Sequence, residues 1–483
     1  MVWWFMNQVK SLKQVLSNKM ALFTMARYFV YLLLFIRGML LASYLGVEKF
    51  GIFSMIILLG QYLTFSGGGV QFAITVLLAK DKKDTSSTER NNLISSAINF
   101  SLLISILLIA PLIILTWHQN LFGGATNEYI LFVALIGSLG FIQQVWLNIF
   151  RVDGLMKHII IVELVTAIFL IAVIFFVSKD QLIWYMLTSV VITSLCSILY
   201  FFNKKQFQYN FTLTIKNVVR LMRTGFPLLL LNISTMIITI FPQFIAGVFY
   251  GDEVMGIYSF GVRISTSVLL VFNTIVWYIF PSLISRLGDM SPDDKYNFVK
   301  KWSTILVCLL TLFSFIMMIV MSIIFTFMPE YYDAYAVFNI IIISNIFMLS
   351  GFIFNSLIIS HGGQLRLSIF ITIISISVII SSYLIATNEL NYIYLGLVTL
   401  MASIIHLVVN IIFGWRLALS EYSLRELYIF PVKFLLPIFA VLVLSFLLYP
   451  MYGAVIGFIL LIILEGKTLL NVLNPLFRRY FWI

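Results

Sequence analysis

Three arginines interrupt stretches of the sequence that are otherwise apolar: Arg27, Arg37 and Arg263. A charged side chain inside a membrane usually faces a cavity or a partner, and a guanidinium binds phosphate or carboxylate through paired hydrogen bonds. Arg37 lies eight residues before Leu45 and Arg263 seven residues after Gly256, which in helical geometry is about 12 Å and about 10 Å from the helix ends. At that depth we expect a cavity rather than snorkelling. For Arg27, nearer a helix end, both interpretations stay open.

Amide side chains extend this polar surface along three apolar stretches. Gln61 and Gln71 share one helical face with Ser and Thr residues, Asn232 and Gln243 repeat the pattern, and Asn273 lies beside a third stripe. One stripe alone is typical of helix packing, but three stripes on equivalent helices predict one wet, cationic cavity. The candidate substrate-binding residues are therefore Arg27, Arg37, Gln61, Gln71, Asn232, Gln243, Arg263 and Asn273.

No catalytic or metal-binding constellation is recognisable in the sequence. Cys196 and Cys308 fall inside apolar stretches, and the four histidines are scattered, so we predict no enzyme activity and no cofactor. His406 could carry a coupling proton because imidazole titrates near neutral pH, but most single polar residues on apolar helices are packed against a neighbour, and nothing in the sequence selects His406. Glu163, the one acidic residue near the predicted cavity, is equally explained as an interfacial side chain. A proton gradient, a sodium gradient and the membrane potential all stay open as driving forces.

The composition places these residues in a membrane protein. Hydrophobic residues make up 61% of the chain and charged residues only 10%, which is too little charge for a soluble surface. Apolar runs long enough to cross a hydrocarbon core of about 30 Å recur throughout. The sequence therefore predicts an all-α polytopic membrane protein with about fourteen transmembrane helices, and a weak point at SGGGVQ (66–71). The predicted spans are 21–45, 51–79, 91–117, 128–150, 159–178, 182–202, 224–249, 255–284, 302–327, 334–360, 368–386, 392–415, 434–449 and 452–464. The two longest spans, 51–79 and 255–284, are expected to tilt or kink.

The distribution of Lys and Arg orients the chain in the membrane. With the amino terminus inside, the even-numbered connections and both tails carry 25 of the 30 basic residues, and the outer connections carry only Lys49 and Lys179. Basic residues are retained on the cytoplasmic side, so both termini are predicted to be cytoplasmic. The net charge of +11 is then a topology signal and an attraction to anionic membrane lipid, and it requires no nucleic-acid partner.

One outer connection is repeated in the sequence. The decamers LGVEKFGIFS (45–54) and YGDEVMGIYS (250–259) share Gly, Glu, Gly, Ile and Ser at an offset of 205. Six spans separate them, so the two halves have the same orientation, as in parallel repeats. A second match pairs Gly154 with Gly363 at an offset of 209. The predicted domains are an interfacial helix (1–20), an amino-terminal lobe (21–202), a basic cytoplasmic linker (203–223), a carboxy-terminal lobe (224–415) and a segment with two further helices (416–483).

With these motifs the sequence resembles the polysaccharide flippases. These are the Wzx-type transporters of O-antigen, capsule and exopolysaccharide in the multidrug/oligosaccharidyl-lipid/polysaccharide (MOP) exporter superfamily. The resemblance covers nearly the whole chain and rests on the first decamer, on SGGGVQFAITVLLA (66–79), and on GDEVMGIYSFGVRI (251–264) followed by FPSL (280–283). An acidic residue often precedes the glycine of the second motif in the family. Ser66 stands there in this chain, and no role is carried over to it.

The resemblance implies alternating access between two lobes that moves an undecaprenyl-pyrophosphate-linked oligosaccharide across the bacterial cytoplasmic membrane. A polysaccharide polymerase and a chain-length regulator are the implied protein partners. Two other functions stay open. A multidrug or cation antiporter of the same fold would need buried carboxylates in the amino-terminal lobe, where this sequence offers arginines. A membrane-embedded polysaccharide polymerase or ligase would be expected to carry a larger outer loop than the connections of about ten residues seen here.

Overall fold

The computed structural model describes residues 18–81, 87–118, 129–211, 213–423 and 455–463, together with residues 437 and 466. Within that part of the chain every regular element is helical, which confirms the predicted all-α class. The helices are α1 Asn18–Leu63, α2 Val70–Asp81, α3 Ser87–His118, α4 Ile130–Val152, α5 Met156–Phe176, α6 Leu182–Lys204, α7 Ile215–Asp289, α8 Pro292–Thr326, α9 Ala334–Ser350, α10 Phe352–Ser360, α11 Gln364–Thr387 and α12 Ile393–Ala418, with a 3-10 turn at Pro329–Tyr331. Most of the predicted interfacial helix (1–20) lies outside the described residues.

Two of these helices continue from one predicted membrane span into the next: α7 contains 224–249 and 255–284, and α1 contains 21–45 and the first part of 51–79. α1 and α7 are 46 and 75 residues long, and each is interrupted at one glycine, Gly46 (φ 72°, ψ 173°) and Gly251 (φ 90°, ψ 177°). Only glycine adopts this backbone conformation without strain. The ten apolar helices of the described residues that could span a membrane therefore correspond, wholly or in part, to the first twelve predicted spans, because two of the ten each continue from one span into the next. Of the last two spans, 434–449 lies almost entirely outside the described residues, and the other is helical over 455–463.

The predicted weak point at SGGGVQ is a break between α1 and α2. Gly68 (φ 60°) and Gly69 (φ 85°) adopt left-handed conformations there. A Cβ at Gly69 would overlap the carbonyl oxygen of Gly225 in α7, and a Cβ at Gly225 would overlap that of Gly69. The absence of side chains therefore lets the break pack backbone to backbone against α7. The other long predicted span, 255–284, is continuous helix.

The chain divides into two compact units, an amino-terminal unit (Leu32–Gly256) and a carboxy-terminal unit (Ile257–Ile483 with Met1–Tyr31). In the amino-terminal unit, α4 packs against α2, α3, α5 and α6, and Trp146 and Phe150 of α4 lie in its buried apolar cluster. In the carboxy-terminal unit, α12 packs against α9, α10 and α11, and α8 packs against α9 and α10. The two lobes expected from the sequence stay a prediction.

Helices begin at equivalent positions in the two halves of the chain. Helices α3, α4 and α5 begin at 87, 130 and 156, and α8, α9 and α11 begin at 292, 334 and 364, which are offsets of 205, 204 and 208. The structure corrects one predicted match. Gly154 and Gly362 both have φ of 75°, whereas Gly363 has φ of −82°. Gly154 therefore corresponds to Gly362, and the pairing with Gly363 was wrong by one residue because two glycines are adjacent in the sequence.

The two decamers contact each other within the amino-terminal unit. A Cβ at Gly51 would overlap the carbonyl oxygen of Asp252, and a Cβ at Gly256 would overlap that of Val47. Val47 is equivalent to Asp252 at the offset of 205, and Gly51 is equivalent to Gly256, so the contact is reciprocal. A small apolar cluster containing two methionines packs beside it. The glycines of the repeated motif therefore serve both the turn and the contact between its two copies.

Gly51→Ala and Gly256→Ala should each destabilise the protein, because the new methyl group would collide with backbone atoms that cannot rotate away. Overpacking of this kind costs about 1–3 kcal/mol. The matched controls are Gly38→Ala in α1 and Gly288→Ala in α7, where the space around a Cβ is open and alanine favours helix. Heating the purified variants and measuring the remaining folded fraction by size-exclusion chromatography gives the unfolding midpoints. Equal midpoints for all four variants would contradict the contact.

Candidate functional site

Arg37 is a half-buried charge within α1 of the amino-terminal unit. Its Nε atom is buried and has no hydrogen-bond partner among the described residues. None of the ion pairs formed by that part of the chain includes it. A permanent cation on an apolar helix, with a donor left unused, is suited to hold an anionic ligand.

The other two predicted arginines belong to the carboxy-terminal unit. The guanidinium of Arg27 lies 5.5 Å from the centroid of the Tyr31 ring, one turn along α1, which is within the range of a cation–π interaction. Arg263 is half-buried in α7, and its backbone carbonyl accepts a hydrogen bond from the Thr266 hydroxyl at 3.0 Å. A cavity shared by Arg263 and Arg37 stays a prediction.

Three of the predicted amides are exposed on membrane helices: Gln61 of α1 and Asn232 and Asn273 of α7. An amide that faces an apolar medium without hydrogen-bond partners costs roughly 2–7 kcal/mol. Asn232 offsets part of this by donating to the carbonyl of Leu228 at 2.7 Å. Exposure of amides on such helices is favourable only where water or a polar ligand is present, so each of these three residues, within its own unit, is well placed to meet one or the other.

The two remaining predicted amides are packed inside the amino-terminal unit. Gln71 is 3% exposed and Gln243 is 6% exposed. The Gln71 Nε2 donates to the carbonyl of Thr64 at 3.4 Å across the break between α1 and α2, and the Asn148 amide of α4 donates to the Gln71 carbonyl at 2.8 Å. In this conformation these hydrogen bonds of Gln71 join helices, and neither glutamine lines open space.

Several hydroxyls of the predicted stripes bond to their own helix. Thr235 donates to the carbonyl of Leu231 at 2.8 Å, and Thr274 donates to that of Leu270 at 2.8 Å. Bonds of this type satisfy a Ser or Thr hydroxyl within its own helix. These hydroxyls therefore have their donor already in use and offer a ligand only their acceptor capacity.

A charged cluster in the amino-terminal unit was not predicted from the sequence. Arg90 at the start of α3 forms an ion pair with Asp153, which follows α4. Arg151 donates to the Thr75 hydroxyl of α2 at 3.2 Å. These partners are 63 and 76 residues apart, so no local periodicity reveals them; the one signal was the concentration of basic residues in the connections assigned to the cytoplasmic side.

The segment between α6 and α7, predicted as a basic linker, is bonded to α3. The Tyr209 hydroxyl bonds to the side chain of Asn99, and the backbone N–H of Asn210 donates to a serine of α3 at 3.1 Å. Phe207 is buried with its ring centroid 5.8 Å from that of Trp146. Burial raises the pKa of Tyr209, so its hydroxyl stays a neutral donor at physiological pH.

Cysteine labelling tests which amides meet water. In protein whose two natural cysteines are replaced by serine, Gln61→Cys and Asn232→Cys should react with a membrane-impermeant thiol reagent about tenfold faster than buried positions, because thiol reactivity needs access to water. Gln71→Cys and Gln243→Cys, which also replace amide side chains, are the buried counterparts. Equal labelling rates in detergent-purified protein would contradict the assignment of the exposed amides to a wet space.

The fold is shared with transporters of known structure. An inward-facing multidrug resistance MATE family transporter of the MOP superfamily is 16% identical, with a TM-score of 0.60 over 82% of this chain and 96% of that one. The lipid II flippase MurJ in an inward closed conformation is 17% identical, with a TM-score of 0.57 over 95% and 99% of the two chains. A MOP superfamily transporter from Pyrococcus furiosus is 13% identical, with a TM-score of 0.57 over 83% and 95%. At these identities the similarity establishes the fold alone.

The family is established by the sequence itself. Residues 16–287 match the family described as polysaccharide biosynthesis protein, and this match covers more than half of the 483 residues. Among curated proteins no sequence matches this chain. The chain is thus a multi-pass membrane protein with the MOP transporter fold, and it belongs to the polysaccharide biosynthesis protein family.

Proposed function

We propose that the protein is a flippase for an undecaprenyl-pyrophosphate-linked oligosaccharide used to build a surface polysaccharide such as O-antigen, capsule or exopolysaccharide. The observation that carries the proposal is Arg37, a half-buried cation on an apolar helix whose Nε has no partner among the described residues. The pyrophosphate of such a substrate is an anion that must pass the hydrocarbon core, and an arginine at that depth replaces part of its hydration.

The exposed amides suit the glycan part of the same substrate. A sugar presents hydroxyl groups, which donate and accept hydrogen bonds, and an amide side chain offers both donors and an acceptor. Gln61 and Asn232, both in the amino-terminal unit together with Arg37, are exposed in this way. Amides and arginine together would hold the polar head of the substrate while its isoprenoid tail stays in membrane lipid.

One finding supports a transporter of lipid-linked sugar over other members of the fold: the family match is to polysaccharide biosynthesis proteins. A flippase of lipid II shares the fold, so the fold is compatible with this kind of substrate. We place the protein in the bacterial cytoplasmic membrane with both termini in the cytoplasm, acting by alternating access beside a polymerase and a chain-length regulator. The positions of the basic residues support that orientation.

Deletion of the gene tests the proposed function in the cell. A strain lacking this protein should accumulate the lipid-linked repeat unit on the cytoplasmic face, because synthesis continues while export stops. Mass spectrometry of extracted lipid-linked glycans measures the accumulation, and staining of the cell surface measures the lost polysaccharide. Restoration by the wild-type gene is the control, and unchanged surface polysaccharide in the deletion strain would rule out the flippase.

Substitution of the arginines tests whether they bind the anionic part of the substrate. Arg37→Ala should reduce transport roughly 10- to 100-fold, since a charge-assisted hydrogen bond contributes about 1.5–3 kcal/mol; Arg263→Ala should act in the same direction. Arg37→Lys keeps the charge but loses the forked donors, so it should retain intermediate activity. Arg220→Ala is the control, because Arg220 is exposed and pairs with Glu89 at 3.7 Å. Full complementation by the Arg37→Ala, Arg263→Ala double variant, at normal membrane levels, would remove both from the site.

A multidrug antiporter is the second candidate, because a multidrug transporter shares the fold. Cationic drugs require buried carboxylates, and the cation at Arg37 argues against them. The expected result is unchanged susceptibility of the deletion strain to cationic drugs and dyes. Increased susceptibility together with normal surface polysaccharide would favour the antiporter. A polymerase or ligase is disfavoured because no acid–base pair or nucleophile is recognisable in the sequence.

A further inference from the structure

The two halves of the chain make an equivalent contact with different chemistry. Arg90 and Lys295 are equivalent at an offset of 205, and each is the fourth residue of its helix, α3 and α8 respectively. Asp153 and His361 are equivalent at an offset of 208, and each directly precedes a glycine with φ of 75°. Arg90 pairs with Asp153 in the amino-terminal unit. In the carboxy-terminal unit the Lys295 Nζ lies 2.9 Å from the His361 Nε2.

The contact in the amino-terminal unit has fixed charges. A guanidinium stays protonated in proteins, and a carboxylate beside a guanidinium is favoured in its ionised form. The Arg90–Asp153 pair therefore neither gains nor loses a proton near neutral pH. The contact between the start of α3 and the turn after α4 is therefore the same over the physiological pH range.

The contact in the carboxy-terminal unit requires a neutral imidazole. An ammonium group has three donors and no acceptor, so the His361 Nε2 must be the acceptor from Lys295. The His361 Nδ1 lies 3.0 Å from the carbonyl of Leu357 and 2.9 Å from the Ser360 hydroxyl, which places its proton on Nδ1. A second proton, on Nε2, would set one N–H group against another and break the contact.

Charges of both signs surround Lys295. It is 7% exposed and lies on the first turn of α8, where the helix dipole disfavours a cation. The neighbouring carboxylates accept from hydroxyls, Asp293 from Tyr422 and Asp294 from Ser291 at 2.7 Å. The other charged side chains in the first turns of α8 and α11 and at the end of α12 are Lys300, Lys301, Arg366, Arg416 and Glu421. An added positive charge on His361 would lie directly against the ammonium group of Lys295, whose Nζ is 2.9 Å from the imidazole Nε2.

We propose that the contact between His361 and Lys295 is a proton-sensitive latch that must open and close during transport. The proposal rests on the transport function proposed above. A proton from water binds the Nε2 of His361, the imidazolium repels Lys295, and the start of α8 separates from the turn before α11. Loss of the proton restores the contact. The Arg90–Asp153 pair does not respond, so the proton loosens one half of the chain and leaves the other closed.

The protonation state can be observed directly, because the chain contains only four histidines. Nitrogen NMR of histidine-labelled protein in lipid nanodiscs, with His361→Gln to assign the signal, should show a neutral ring protonated on Nδ1 at about pH 8, above the range in which imidazole gains its charge. Lys295→Met should free the Nε2 and allow both neutral tautomers. A wild-type ring protonated on Nε2 at that pH would overturn the proposal.

Opening of the contact can be measured by thiol labelling. Ser303→Cys in α8 places a thiol at a position 1% exposed, in protein whose natural cysteines are replaced by serine. Labelling should rise severalfold from about pH 8 to about pH 5.5, a range that spans the titration of imidazole. The matched control is Ile98→Cys in α3, the equivalent position at the offset of 205, where labelling should not change. An equal rise at both positions would overturn the proposal.

A charge swap separates this proposal from the flippase proposal. His361→Asp gives the carboxy-terminal unit the carboxylate that Asp153 supplies in the other, so the contact should stay closed and the pH response at Ser303→Cys should be lost. His361→Gln keeps an acceptor for Lys295 but has no site for a proton, so it should give the same result as His361→Asp. Both variants should fold, reach the membrane and fail to restore surface polysaccharide in the deletion strain. Full restoration by either would overturn the proton-sensitive latch, whereas the flippase proposal is tested by the deletion strain alone.

Discussion

Backbone contact between glycines determines how the helices of the amino-terminal unit meet. At one end, Gly51 and Gly256 each lie against a carbonyl oxygen of the opposite turn, and at the other end Gly69 and Gly225 lie against each other. Helices held at two separated points without side chains between them have little freedom to rotate about their axes. The faces of α1 and α7 between these points are therefore defined by the contacts at their ends. Gln61 is therefore exposed because of how these contacts orient its helix, as well as because its side chain is polar.

Charge in the described residues is used in two different ways. Near the helix ends, Arg90 and Asp153 satisfy each other, and Lys295 has an imidazole as its partner. Within the apolar part of α1, Arg37 keeps an unused donor. Paired charges stabilise positions, whereas an unpaired one is costly unless a ligand meets it. This contrast is what separates a candidate binding residue from the many basic residues that only orient the chain in the membrane.

The sequence predicted best what depends on local pattern. Hydropathy gave the spans, and the repeated glycine motif and SGGGVQ gave turns or breaks at Gly46, Gly251 and Gly69 because only glycine tolerates those backbone angles. The burial of individual polar side chains could not be predicted from the sequence. Gln61 is exposed and Gln71 is buried, although the sequence places them on one helical stripe, because the break between α1 and α2 rotates one relative to the other. The Arg90–Asp153 pair was not predicted because no periodic signal links residues 63 positions apart.

The segment between α6 and α7 has a consequence for engineering this protein. A connection of this kind, polar in sequence and placed midway along a duplicated chain, is where a reporter domain would ordinarily be inserted or the gene divided in two. Here Phe207 is buried in the apolar cluster of the amino-terminal unit, and Tyr209 and Asn210 bond to α3. A cut or insertion at these residues would withdraw an aromatic ring from the core and leave the buried side chain of Asn99 without its bond to Tyr209. The connection is thus part of the folded interior, and if the two halves were expressed separately, the amino-terminal half would have to include it.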